Sequence, residues 1–200
     1  EFCSMPDAKR VTYGLRTAWP EKDAELHQER TVSHNKDHVL TVNGLAFSYK
    51  RGPEVFQDIN FTAHSGDVIG ILGHNGAGKT TLLSILTGLL KESGGKIQYN
   101  EKTLSRRDRR ALSYLVMQDT DYQLFGSSVE EELSLGIEAD CTEKVTETLD
   151  ALELSEYREH HPAALSGGQK QRVTIGAAIV KGSPIIYFDE PTSGLDYDSM

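Results

Sequence analysis

At 200 residues with 38% hydrophobic side chains, the chain is long enough to bury one sizeable core. No apolar run approaches the roughly 20 residues that cross a bilayer, so any membrane role has to run through a partner. A net charge of −9 argues against nucleic acid as the main ligand. Two cysteines as far apart as Cys3 and Cys141 indicate neither a metal site nor a disulfide framework and fit a reducing cytosol.

In chain order, residues 1–38 are polar, with Pro6, Pro20 and scattered apolar positions of no period, and read as a linker or the tail of a preceding domain. Val39–Tyr49 alternates loosely, Gly52-Pro53 turns, and Val55–Ala63 carries apolar residues at near period 2, which predicts an antiparallel hairpin. After a second turn at Ser65-Gly66, Val68–Leu72 reads as a short buried strand. Thr80–Leu90 has a helical apolar stripe at positions 82, 83, 85, 86, 89 and 90, and Gly94-Gly95 returns the chain to a strand at Lys96–Tyr99. The run Arg106-Arg107-Asp108-Arg109-Arg110 reads as a solvated surface or turn, because Asp108 interrupts it and no aromatics flank it. Ser113–Met117 is a further strand, Val129–Leu135 and Thr142–Leu154 amphipathic helices, Ser166–Val180 a helix and Pro184–Phe188 a strand. Glu1 opens the chain without Met or an apolar leader and Met200 closes it in mid-pattern, so the sequence reads as a piece of a longer product.

Three motifs carry phosphate chemistry. Gly73-His-Asn-Gly-Ala-Gly-Lys79-Thr80 fits G-x-x-x-x-G-K-[ST], placed between an expected strand and a helix. Its glycines let successive backbone N–H groups face phosphate oxygens at a positive helix end; Lys79 can bridge the β- and γ-phosphates and the Thr80 hydroxyl can ligate Mg²⁺. Ile185–Phe188 supplies a buried strand whose end places Asp189 to hold Mg²⁺, and Glu190, just past it, is the candidate general base for an attacking water. Leu165-Ser-Gly-Gly-Gln169 opens a helix with an N-cap serine and two glycines that leave N–H groups uncovered, a second phosphate site.

These motifs, in order with a glutamine at Gln118, resemble the ATP-binding-cassette (ABC) ATPase family, in which two such domains close face to face around ATP. The resemblance runs from about Val39 to the end of the chain. It implies an α/β P-loop NTPase core with an antiparallel β subdomain and a helical insert at about 120–165, in a domain over 39–200 that is incomplete at its C-terminus. It implies that Gly73, Asn75, Gly76, Ala77, Gly78, Lys79, Thr80 and Thr81 cradle ATP and that Tyr49 stacks on adenine. Thr80, Gln118 and Asp189 would hold Mg²⁺, with Gln118 and Glu190 acting on the attacking water. Ser166, Gly167, Gly168 and Gln169 would contact ATP held by the opposite cassette, and Asp196, in Ser193-Gly-Leu-Asp196, would reach across the dimer. The family's switch histidine is expected beyond Met200, since His160 and His161 precede the signature and fit a surface. Tyr13-Gly-Leu-Arg-Thr17 looks like the stretch closing the first half of fused two-cassette transporters, or plain linker.

From Gln118 to Leu133 the sequence resembles the energy-coupling-factor ATPases, which drive prokaryotic uptake of vitamins and of cobalt or nickel ions. The cues are Gln123-Leu-Phe125 and Val129-Glu-Glu-Glu-Leu133. Leu124 and Phe125 would form an apolar foot, and Asp119, Asp121 and Glu130–Glu132 could receive basic residues of a membrane partner or simply solvate a helix start. The expectation is an ATPase at the cytoplasmic face of the cell membrane, paired with a second cassette and an integral membrane subunit, powering import of a metal ion or vitamin, with no nucleic-acid partner. The alternative is a soluble ABC ATPase acting on ribosomes or in DNA repair. A regulatory half that binds ATP without hydrolysing it is disfavoured by intact Lys79, Asp189 and Glu190.

Overall fold

The computed structural model describes residues 35–50 and 52–190. Most of the expected linker, the stretch Tyr13–Thr17 and Asp196 lie outside the described residues. The expected hairpin is present: β1 (Asn35–Ser48) pairs antiparallel with β2 (Glu54–Ser65), with Leu40 opposite Ala63, Val42 opposite Phe61 and Phe47 opposite Phe56. The alternation in β1 is loose for a reason. Leu40 and Val42 point inward, and so do Leu45 and Phe47, which have the opposite parity. A register shift lies between Val42 and Leu45, with Gly44 at φ 57, and an irregularity of that kind resets which residues face the core. β3 (Gly94–Tyr99) flanks β1 on its other side and the two-residue β4 (Lys102–Thr103) follows, giving the order β2-β1-β3-β4.

Helix α1 (Lys79–Leu86) packs Leu82, Ile85 and Leu86 against this sheet, in a core with Val42, Leu45, Phe47 and Ile97. Each such side chain contributes roughly 1.5–3 kcal/mol when fully buried. The helix stops four residues short of the expected Leu90. Gly88 adopts φ 78 just beyond it, and Thr87 turns its hydroxyl back to the Leu83 carbonyl.

The arginine cluster lies at the surface through Arg106, Arg107 and Arg110, as its composition predicts, but it is helical rather than a turn, and Arg109 is buried. A reciprocal Ser105–Asp108 capping box opens α2 (Arg106–Leu112), which hands its guanidinium groups to the end of α1. Arg106 and Arg110 donate to the Gly88 carbonyl at 3.1 and 3.0 Å, and Arg109 donates to the Ile85 carbonyl at 2.9 Å and to Glu92 at 2.6 Å. The last carbonyls of a helix lack partners and carry its negative dipole end, so planar cationic forks suit them. Arg109 is only 2% exposed.

Burial raises the Glu92 pKa, but the Arg109 hydrogen bond and charge outweigh it, so the carboxyl titrates below its ordinary value of 4.5. A lowered folded-state pKa adds stability above the unfolded value that is lost as pH falls through the folded one. Arg109→Ala should therefore lower stability by about 2–3 kcal/mol near pH 7, the scale of a hydrogen bond to a charged group plus its orphaned partner. It should also flatten the acid limb of the stability curve. Urea melts of both proteins from pH 7 to pH 3 measure both effects, and an unchanged acid limb would remove Glu92 from the account.

β5 (Ser113–Val116) and β6 (Ile185–Phe188) form a parallel pair, with Leu115 opposite Tyr187. The expected strand over Val68–Leu72 is absent: Val68 is 98% exposed and Leu72 96%, and no described strand pairs with the segment. An apolar run becomes a strand only when a neighbour accepts its ladder bonds, and among the described residues none does.

A second core lies under α3 (Val129–Ser134), α4 (Thr142–Ala151) and α5 (Gly167–Lys181), where Val129, Leu133, Val145, Leu149, Leu165 and Val173 meet. The first N–H groups of α3 are satisfied from outside the helix, Val129 donating to the His160 carbonyl and Glu130 to that of Arg158. His160 and His161 are themselves exposed. No described helix is long and apolar enough to cross a membrane.

Candidate nucleotide-binding site

The loop from Gly73 to Gly78 is drawn tight by Ala77 donating to the His74 carbonyl at 3.1 Å, and its end presses on β2. Gly78 sits at φ 93, and a Cβ there would lie 2.7 Å from Val55 Cγ1, so any side chain would be strained by the backbone and crowded by Val55. Lys79 follows at the start of α1, and its ammonium turns back into the loop, donating to the carbonyls of Gly73 at 3.0 Å and His74 at 3.2 Å. Gly73, Asn75 and Gly76 are exposed, while Ala77 and Gly78 are half-buried beneath them.

Next along α1, the Thr80 hydroxyl donates to Asp189 Oδ1 at 3.2 Å, joining residues 109 positions apart. The parallel pair explains how. Asp189 N–H donates to the Val116 carbonyl at 2.9 Å, extending the β5–β6 ladder one residue past β6 and delivering a buried carboxylate beneath the loop. Glu190 then leaves the sheet: it is exposed and held at φ 49, a left-handed conformation unfavourable for a glutamate. Thr80 and Asp189 offer hard oxygen donors, which fit Mg²⁺. Among the described residues no three His, Cys, Asp or Glu side chains converge on a cation.

Tyr49 stands beside this site, half exposed, with its hydroxyl 3.3 Å from Thr81 Oγ1 and its ring edge-on to Phe47 at 4.8 Å. Gln118 is exposed two residues past β5. Ser166 to Gln169 stand elsewhere, at the start of α5 and anchored by Leu165 in the second core. There the Gln169 side chain accepts from Ser166 N–H at 2.9 Å and the Ser166 hydroxyl accepts from Gln169 N–H at 3.4 Å. The glutamine amide is thus occupied in a capping box, which the sequence reading did not foresee. Gly167 faces open space.

The acidic residues that the sequence offered to a basic partner are engaged within the chain. Glu130 pairs with Arg158 at 3.2 Å, Asp121 with Lys170 at 2.6 Å, and Asp119 accepts from Asp121 N–H. Glu131 accepts from Ser127, through its N–H at 2.7 Å and through its hydroxyl, and these bonds hold the carboxyl below its ordinary pKa. Glu132, buried, accepts from the N–H groups of Phe125 and Gly126, both at 2.6 Å. A Cβ on Gly126 would lie 2.7 Å from Glu132 N, so the close approach of this loop to α3 needs glycine at that position. Leu124 is not part of a free foot, because it packs against the second core. Between Gln118 and Leu133, Phe125 and Tyr122 are the large apolar residues left exposed, at 76% and 73%.

A family model described as ABC transporter matches residues 56–193. A Treponema denticola protein named "Putative ABC transporter ATP-binding protein" is 41% identical over all of this chain, which covers 41% of that protein. The energy-coupling factor transporter ATP-binding protein EcfA1 of Streptococcus agalactiae is 35% identical over 80% of this chain and 61% of its own length. The chain therefore spans less than two thirds of these relatives. Among solved structures, CbiO1 from Clostridium perfringens, part of the ABC transporter complex CbiONQ, superposes with a TM-score of 0.72 at 32% identity, covering 80% of this chain and 68% of that one. A bacterial Atm1-family ABC exporter with ATP bound gives 0.69 at 26% identity, over 80% of this chain and 30% of the exporter.

Proposed function

The chain belongs to the ABC transporter ATP-binding family, and from that premise we propose that it binds and hydrolyses ATP to power import of a small solute of the metal-ion or vitamin class. The observation that carries the reading is the junction of Lys79, Thr80 and Asp189 beneath one glycine-rich loop. Lys79 exchanges its two carbonyl partners for β- and γ-phosphate oxygens, which bind an ammonium more strongly because they are charged. Thr80 and Asp189 would hold Mg²⁺, which would supply positive charge beside the phosphates. Tyr49 offers its exposed ring to adenine, worth roughly 1–3 kcal/mol of stacking. Glu190 takes the proton of the attacking water, which Gln118 orients.

Ser166, Gly167 and Gly168 reach the γ-phosphate bound by a second cassette, so ATP joins two such domains. Asp196 reaches across the same interface. The likeness to EcfA1 and CbiO1 supports an importer, with the chain held at the cytoplasmic face of the membrane by an integral membrane subunit. Phe125 is the docking anchor for that subunit. It projects beside a loop whose backbone Glu132 fixes, so little conformational freedom is lost on docking.

In the full-length protein, Phe125→Ala should leave melting temperature and basal ATP hydrolysis nearly unchanged, since an exposed ring leaves no cavity. Association with the membrane subunit should weaken about 30-fold, for an anchor worth on the order of 2 kcal/mol. Co-purification from detergent-solubilised membranes reads the second effect and a thermal melt the first. A variant that co-purifies and transports like the wild type would sink the anchor. Co-sedimentation of the wild-type protein with ribosomes, and with no membrane protein, would sink the importer.

A further inference from the structure

We propose that Gln123 is a positioning residue for hydrolysis, one that closes the loop carrying Gln118 by standing in for a neighbouring strand at the end of β5. The inference rests on the reading of Gln118 given above. Backbone groups of successive strand residues point to opposite sides. The Val116 carbonyl faces β6, where it accepts from Asp189, so the peptide groups of Leu115 and Met117 face away from the sheet. The Gln123 side chain meets both. Its Oε1 accepts from Met117 N–H at 2.7 Å and its Nε2 donates to the Leu115 carbonyl at 2.5 Å. One carboxamide thus supplies the acceptor and the donor that a paired peptide would, and fixes the end of the loop to its beginning.

Between the two ends the chain makes a 3₁₀ turn over Thr120–Tyr122, closed by Gln123 N–H donating to the Thr120 carbonyl at 2.9 Å. The far side is tied as well. Lys170 on α5, four residues past Ser166, pairs with Asp121 at 2.6 Å. With Gln123 tied to β5 and Asp121 tied to Lys170 of α5, Gln118 is left only a short, braced path on which to move. Losing the brace displaces the residue that orients water without touching the phosphate loop. A displacement of about 1 Å in a reacting group lowers rates on the order of 100-fold.

The discriminating substitution is Gln123→Met, which keeps length and volume and removes both hydrogen bonds. In the full-length protein, we measure steady-state ATP hydrolysis, equilibrium ATP binding and thermal melting for Gln123→Met, Gln118→Ala and the double variant. The expected result is that Gln123→Met lowers kcat about 10- to 100-fold with KM for ATP within about twofold of wild type and binding and melting retained. The double variant should be no slower than Gln118→Ala alone, because both changes act through one residue. Wild-type turnover in Gln123→Met, a multiplicative loss in the double variant, or a loss that follows melting temperature or ATP affinity would each overturn the inference while leaving Gln118 in place. Wild-type turnover in Gln118→Ala would overturn the reading of Gln118 and this inference together.

Discussion

In the full-length protein, Glu190→Gln should bind ATP with near wild-type affinity and lose about 10²–10⁴-fold in hydrolysis, the span ascribed to a positioned general base. Affinity is retained because the binding contacts come from the glycine-rich loop and from Lys79 and Thr80, none of which Glu190 touches in the hydrogen bonds of the described residues. The amide keeps the shape of the carboxylate and cannot accept a proton from water. The backbone supports the assignment. Asp189 is still bonded to the strand ladder, and Glu190 is the first residue free to turn from it, which it does at φ 49. A non-glycine residue in that region carries on the order of 1–3 kcal/mol of strain, which persists where surroundings enforce it.

If ATP joins two cassettes, the variant should also accumulate as a closed, ATP-bound dimer. Size-exclusion chromatography with and without Mg²⁺-ATP, beside a phosphate-release assay, separates the claims. Wild-type turnover would remove Glu190 as the base, and a monomer in saturating ATP would remove the sandwich while leaving the base untouched.

The elements that the sequence displayed best are those whose cause is local. Gly73–Gly78 sits before a helix because its glycines and the N-terminal dipole need nothing from afar, and α3 begins where Ser128 caps it by accepting from Glu131 N–H. The pairing of β1 with β2 followed from near period-2 patterning across one turn. The failures share the opposite property. Val68–Leu72 has the composition of a strand, but a strand is defined by a partner that composition does not name. Arg109 looked as solvated as its neighbours because the Ile85 carbonyl that it satisfies lies 24 positions upstream on another helix. The acidic run at 130–132 looked like one surface, but each carboxylate goes its own way: Glu130 to Arg158, Glu131 to Ser127, and Glu132 to the N–H groups of Phe125 and Gly126. Gln123 carried a subfamily cue but no visible job, since a glutamine that imitates a strand can be recognised only once β5 has an edge to offer.

Lys79→Ala should lower ATP affinity about 100-fold or more while barely moving the melting temperature. The first effect follows from what the ammonium does. It is turned back into the loop, bonded to the neutral carbonyls of Gly73 and His74, and these are weaker partners than the phosphate oxygens that would replace them. A hydrogen bond to a charged group contributes about 1.5–3 kcal/mol, and an ammonium bridging two phosphates makes more than one, so the loss reaches at least two decades in affinity. The second effect follows from exposure: Gly73 and His74 are open to solvent, so water takes over the two carbonyls when the side chain goes. Lys79→Arg separates charge from fit. Its guanidinium keeps the charge, but its planar fork does not reproduce a compact ammonium drawn back into a tight turn. Affinity should therefore recover only in part. Binding of a fluorescent ATP analogue, with thermal melts of the three proteins, provides the comparison. Near wild-type affinity in Lys79→Ala would remove the lysine from the phosphate site, and a melting temperature that falls with affinity would make its role that of a loop brace.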